Sequence, residues 1–166
     1  MNQVAAGRAP AKGDHWRLLA VPLFFVVFAL YAATAAPATL FGDPSEFQFI
    51  PAILGIAHPP GYAFYTLLAK AWQILVPVGT IAYRTNLLSA ASGASAVVAV
   101  FLIVRTLQRS VPETESRLTQ TPVIPIAAAL ALVASPDFWQ HSLHANAHIV
   151  SALLTTAHLL CLVKWW

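Results

Sequence analysis

The sequence predicts an all-α, polytopic integral membrane protein, with about four transmembrane helices and shorter juxtamembrane helices in its first external loop. Two observations lead there. Hydrophobic residues fill 58% of the 166 positions and charged residues only 9%, whereas a soluble domain carries about 25% charge. The apolar residues also gather in runs, and a run of about 20 helical residues crosses the ~30 Å hydrocarbon core of a bilayer.

Met1 to Trp16 is polar, with Arg8, Lys12, Gly and Pro, and is expected to be a disordered cytoplasmic tail (1–16). A transmembrane module is expected to follow over 17–166. Its first span, 17–36, contains no acid and places Pro22 in its opening turns, where a missing N–H is tolerated. A cleaved secretory signal competes with this reading, because basic residues precede the run and small ones end it. The length of the run favours an uncleaved anchor.

The external loop, 37–82, holds "YAFYTLLAKAWQIL" at 62–75, too short to span. Tyr62, Thr66, Lys70 and Gln73 recur at helical spacing, which predicts a helix lying in the membrane interface with one polar stripe. A tilted half-span inside a bundle is the alternative. Further spans are expected at 83–107, 122–136 and 148–164. The second carries Ser89, Ser92, Gly93 and Ala96, small enough for close helix contacts. Ending on Trp165-Trp166 at the edge of a span, the chain reads as a fragment of a longer protein.

Lys and Arg set the orientation. Arg8, Lys12 and Arg17 precede the first span, and Arg105, Arg109 and Arg117 follow the second. The 37–82 loop has only Lys70, and 137–147 has neither Lys nor Arg. The N-terminus is therefore expected inside, with the Asp43 loop and the His141 region outside. Basic residues scattered over loops, with a net charge of +3, argue against a nucleic-acid partner. One cysteine, Cys161, permits no disulfide or cysteine metal cage within the chain. Nucleotide fingerprints, P-loops and metal motifs are absent, so no cofactor is expected; membrane lipid is the expected partner.

"GDPSEFQFIPAILGIAHPPGY", from Gly42 to Tyr62, is where chemistry concentrates. Asp43-Pro44-Ser45-Glu46 has the pattern of a capping box, with Asp at N-cap, Pro at N1 and Glu at N3. The same carboxylates, three apart on one helix face, can push their pKa values apart and poise one for proton transfer. Both readings stand on the residues alone. "HPPGY" adds a stiff turn that holds His58 near the acid-bearing helix. His141, His144 and His148 fall at i, i+3 and i+7. On one helix they would share a face, making weak candidates for a metal; hydrogen-bonded histidines at the interface are the favoured reading. His158, deeper in an apolar run, is expected to bond a neighbouring helix.

"GDPSEF", "LGIAHPPGYAFYTLLAK" and "IAYRTNLLSAASGA" resemble the start of a bacterial membrane family of uncharacterised function related to protein O-mannosyltransferases. The resemblance implies a glycosyltransferase of the GT-C type in a bacterial inner membrane, taking a sugar from a polyprenyl-phosphate donor and passing it to an acceptor hydroxyl on the outer face. It implies Asp43 as the base and Glu46 as its partner. His58, Tyr62, Lys70 and Arg84 become candidates for binding substrate, Arg84 because its fork can grip two phosphate oxygens. The chain departs from the family at Asn146 and His148, where an acid and an aromatic are usual. A non-catalytic membrane subunit or transporter fragment, with Asp43 and Glu46 as helix caps, is the rival reading.

The orientation predicts that, in a Cys161→Ser background, a cysteine at Ser45 reacts with an impermeant thiol reagent in intact cells and one at Ser116 does not. The reverse labelling would invert the topology.

Overall fold

The computed structural model describes residues 17–109 and 121–166. The predicted tail, 1–16, and Arg117 lie outside the described residues. Seven helices and no strand occur among those described: α1 (Arg17–Thr34), α2 (Asp43–Ile53), α3 (Ala63–Leu75), α4 (Ile81–Gln108), α5 (Val123–Val133), α6 (Pro136–Leu143) and α7 (Ala147–Trp165).

The all-helical class holds, and the count of about four spans is not reproduced. Two helices, α4 and α7, are long and apolar enough to cross a membrane; a third span arises if α5 and α6 are taken as one, bent by 65°. The expected 122–136 span is not one straight helix: α5 is only 11 residues, ~16 Å of helix at 1.5 Å per residue. Its end is written in the sequence: Pro136 disfavours helical geometry at Ser135, which is extended at ψ 120°. The described part of α1 is 18 residues, or ~27 Å of helix.

The longest helix, α4, is the axis of the molecule, and every other described helix packs against it. Thr80 starts it, its hydroxyl accepting from the Tyr83 N–H at 3.1 Å. Small residues give it a nearly featureless surface: Ala90, Ala94, Ala96, Ser89 and Val97 are fully buried. Gly93 lets α6 approach, since a Cβ there would collide with Ser142 and sit 3.3 Å from the Tyr31 ring. The predicted close-packing face is thus used within the chain. One apolar core forms where α1, α4 and α5 meet, around Val27, Tyr31, Val97 and Phe101. A second joins α2, α3, α4 and α7 around Phe47, Tyr65, Leu88 and Ile149.

Between the two cores lies a buried polar junction. Asn86 Oδ1 accepts from Gln48 Nε2 on α2 at 2.9 Å and from the Ala145 N–H before α7 at 2.8 Å. Asn86 Nδ2 donates to the Ala36 carbonyl beyond α1 at 2.7 Å. Beside it, Gln73 Nε2 on α3 donates to the Thr85 hydroxyl at 2.8 Å, and the Ser89 hydroxyl accepts from the Asn146 N–H at 3.2 Å.

The α3 helix reverses the predicted orientation. Thr66 and Gln73 are buried, and Lys70 reaches inward to donate to the Ala52 carbonyl at 2.6 Å. Phe64, Leu67, Ile74 and Leu75 make up the exposed face. The polar stripe therefore packs against the protein and not against the aqueous interface.

Asn86→Ala takes their side-chain partner from the Ala145 N–H and the Ala36 carbonyl and leaves Gln48 Nε2 only a 3.5 Å contact with the Ala38 carbonyl. Each unsatisfied buried group costs about 1–3 kcal/mol, so this variant is expected to melt well below Asn146→Ala, which loses only the Asn146 cap on the His148 N–H, about 1 kcal/mol. Thermal unfolding in detergent checks the order.

Candidate functional site

The first turn of α2 does not form the capping box read from the sequence. Gly42 is the N-cap, at φ 76°, and no side chain caps this helix. That positive φ is open to glycine and strained for other residues. It starts the helix one residue earlier than the pattern suggests. Asp43 accordingly falls at N1 and Glu46 one position beyond N3. The Ser45 hydroxyl donates to the Gly42 carbonyl at 2.7 Å. Asp43 is exposed, near the positive end of the helix dipole, where a carboxylate is favoured.

Glu46 turns the other way, toward the HPPGY turn. Its Oε1 accepts the His58 backbone N–H at 2.7 Å, and its Oε2 lies 2.6 Å from His58 Nδ1. A carboxylate only accepts, so Nδ1 carries the proton and Nε2 is the remaining polar atom of the ring. The turn that brings His58 here closes with the Gly61 N–H on the His58 carbonyl at 2.8 Å. It contains a cis Pro59–Pro60 bond, then Gly61 at φ 91° and Tyr62 at φ 47°. Tyr62 adopts the left-handed region, at a cost on the order of 1 kcal/mol. Its ring is held edge-on by Phe47 at 5.0 Å and by His58 at 5.3 Å.

Asp43, Glu46 and His58 thus converge, their donor atoms all within 4.8 Å of one another. They are the described residues nearest to a metal-ligand set. The Glu46–His58 separation of 2.6 Å is shorter than the ~3.3 Å edge of a tetrahedron built on 2.0–2.1 Å bonds, so a shared proton fits between them and an ion does not.

The histidine triplet is not the single helical face expected of it. His141 lies on α6, His144 is the extended residue that ends α6, and His148 begins α7 beyond a break. Their rings nonetheless gather, with His141 5.8 Å from His144 and 6.5 Å from His148. His148 also meets Tyr62 at 6.5 Å. The rings form a path from the first loop to the α6–α7 break. Burial, with His141 nearby, lowers the pKa of His144. His158 is exposed on α7, not bonded into a neighbouring helix as expected.

Two other sequence candidates are engaged elsewhere. The Arg84 guanidinium donates to the Gly79 carbonyl at 3.2 Å and the Gln73 carbonyl at 3.3 Å, fastening the α3–α4 connection. Lys70 closes the C-terminal turn of α2. Sequence reasoning missed Phe47, which centres the aromatic cluster, and the Gln48–Asn86 pair behind it. A Gln and an Asn in otherwise apolar helices were the available signal, because such groups need partners.

The model of the Protein O-mannosyl-transferase TMEM260 N-terminal domain matches residues 43–166. The chain belongs to this family. Among curated proteins it is similar to the protein O-mannosyl-transferase TMEM260 of Mus musculus, 39% identical over 109 residues, which is 63% of this chain and 16% of that protein. It is also similar to the protein O-mannosyl-transferase tmem260 of Dictyostelium discoideum, 30% identical over 86 residues, 51% of this chain and 10% of that protein. The chain therefore spans only a small N-terminal-domain share of the family's curated members. No solved structure matches. Both relatives are eukaryotic, so they lend no support to the bacterial setting suggested by the motifs. The family match begins at Asp43, the first residue of α2.

The ion pair gives the site a pH signature. The His58 hydrogen bonds, with its charge, lower the Glu46 pKa from 4.5; the hydrogen bond to Glu46 raises that of His58 from 6.5. A lowered acid contributes stability fully above its unfolded value and loses it as pH falls through the folded one. A raised histidine contributes fully below its unfolded value and loses it as pH rises through the folded one. The melting-temperature difference between the parent and Glu46→Gln should be greatest between pH 4.5 and 6.5 and shrink on both sides. A flat difference across pH would mean the two side chains do not pair in solution.

Proposed function

We propose that the chain is the N-terminal membrane module of a glycosyltransferase of the protein O-mannosyltransferase type. In this reading it transfers mannose from a polyprenyl-phosphate donor to an acceptor hydroxyl at the outer membrane face, with its N-terminus in the cytoplasm. The observation that carries the reading is Asp43. It is an exposed carboxylate on a helix it does not cap, clustered with Glu46 and His58, in a family whose relatives are named protein O-mannosyl-transferases.

Asp43 takes the proton from the acceptor hydroxyl. The acceptor oxygen bonds to the sugar's anomeric carbon, and the bond from that carbon to the phosphate oxygen breaks. The electron pair leaves with the lipid phosphate. A general base of this kind contributes about 10²- to 10⁴-fold in rate. Glu46 is a positioning residue, since both its oxygens are engaged by His58. Its hydrogen bond to Nδ1–H favours the doubly protonated imidazolium of His58, whose Nε2–H then donates toward the negative charge that develops on the leaving phosphate. Arg84 and Lys70, bound to backbone carbonyls, hold the loop that carries these groups. Tyr62 forms one wall. The rival reading, caps on a non-catalytic subunit, is weakened because neither carboxylate caps α2.

Asp43→Asn tests the proposal in the longest chain that carries this module. It keeps the shape of an exposed side chain and loses only the helix-dipole contribution of the charge, about 0.3–1 kcal/mol, so the melting temperature should fall slightly at most. Transfer from polyprenyl-phosphate mannose should fall by about 10²- to 10⁴-fold. Transfer at the parental rate would remove Asp43 from the chemistry and leave the module a structural one.

A further inference from the structure

We propose that the outer faces of α2 and α3 are seated in lipid hydrocarbon, so that the predicted external loop is a wedge in the bilayer and not a water-exposed lid. The inference does not depend on the catalytic proposal.

Its first support is the inverted sidedness of the hairpin. On α3 the side-chain N–H groups of Lys70, Trp72 and Gln73 turn toward the protein and find partners there. Lys70 Nζ donates to the Ala52 carbonyl at 2.6 Å, Trp72 Nε1 to the Arg84 carbonyl at 2.9 Å and Gln73 Nε2 to the Thr85 hydroxyl at 2.8 Å. What remains outside is Phe64, Leu67, Ile74 and Leu75, between 62% and 77% exposed. The α2 helix adds Phe49 and Ile53, 59% and 58% exposed. A helix beside water buries its apolar stripe and shows its charges. A helix against hydrocarbon satisfies its polar groups internally and shows apolar side chains. Lys70 is the only Lys or Arg between Asp43 and Tyr83, and it is withdrawn from the outer face.

The second support is continuity with the candidate spans. On one side of the hairpin, Phe49, Ile50 and Ile53 of α2 share a groove of about 670 Å³ with Ile81 and Ala82, where α4 begins. On the other side, Ala63 and Phe64 of α3 share a groove of about 260 Å³ with Val150 and Leu154 of α7. Both α4 and α7 are long and apolar enough to cross a membrane. Apolar side chains therefore run from one span, across the hairpin, to the other, with Ser45 and Glu46 at the end of the α2–α4 groove and Ser151 in the α3–α7 groove. The carboxylates and imidazole sit at the Asp43–His58 edge, leaving the proposed site at the rim of the wedge.

The experiment places single cysteines at Phe49, Leu67 and Ile74, with Cys161→Ser, in the full chain reconstituted into phosphatidylcholine vesicles. Each is spin-labelled and its collision rates with oxygen and with a water-soluble nickel chelate are measured. Leu159→Cys on α7 is the lipid reference and Asp137→Cys, whose native side chain is 89% exposed, the water reference. Oxygen collisions several-fold above nickel collisions at all three sites, as at position 159, are expected. Nickel collisions like those at 137 would overturn the proposal in favour of a solvated lid. Low rates for both reagents would overturn it in favour of a covering protein surface, either a further segment of a longer chain or a second copy. A diazirine-bearing fatty acid, photolysed with the unsubstituted chain, gives the same answer without mutation: adducts between residues 63 and 75 are expected, and their absence counts against the wedge.

Discussion

The Asn86 carboxamide is the joint on which this structure turns. It is fully buried and ties together the chain beyond α1, the middle of α2 and the strand-like break before α7. Its strength comes from its surroundings. In a low-dielectric interior a satisfied polar group fixes geometry sharply, and an unsatisfied one is expensive. Apolar packing alone would let α2 slide or rotate on α4. A hydrogen-bonded Gln48–Asn86 pair allows one register, and that register aims Glu46 at the HPPGY turn. The catalytic proposal thus rests on residues that never touch substrate.

Much of the fold was legible in the composition. Runs of apolar residues placed α1, α4 and α7 close to their observed ends, because hydrocarbon thickness imposes a length on any spanning helix. Hydropathy does not see backbone geometry, so the 122–136 run gave no sign of the 65° bend between α5 and α6. Periodicity found the α3 stripe correctly and assigned it to the wrong side. Spacing says which residues share a face, whereas only tertiary packing says what the face meets. The partners of Thr66 and Gln73 lie on other helices, out of reach of any local pattern.

The candidate site was legible in its residues and not in its contacts. Asp43, Glu46 and His58 were identified from the motif, and the cap was the better local explanation of the carboxylates. A one-residue shift in the helix start, set by Gly42 at positive φ, undid that explanation. The Glu46–His58 pair spans 12 positions, and the turn between them has no helical or strand periodicity to project. The approach of His148 to Tyr62 crosses still more chain and depends on the break between α6 and α7, which the sequence reading had smoothed into one helix face.

The last partner of Asn86 carries a consequence for how the molecule is made. A ribosome delivers the chain from its N-terminus, and the Ala145 N–H lies 59 positions after Asn86. Until that residue is synthesised, the carboxamide oxygen can hold Gln48 but not the entrance to α7. The same is true of Ser89, whose partner is the Asn146 N–H. Early-made helices therefore carry open acceptors that only a later segment can fill, and the approach of His148 to Tyr62 follows in the same step. The order of synthesis therefore sets the order in which this buried junction closes.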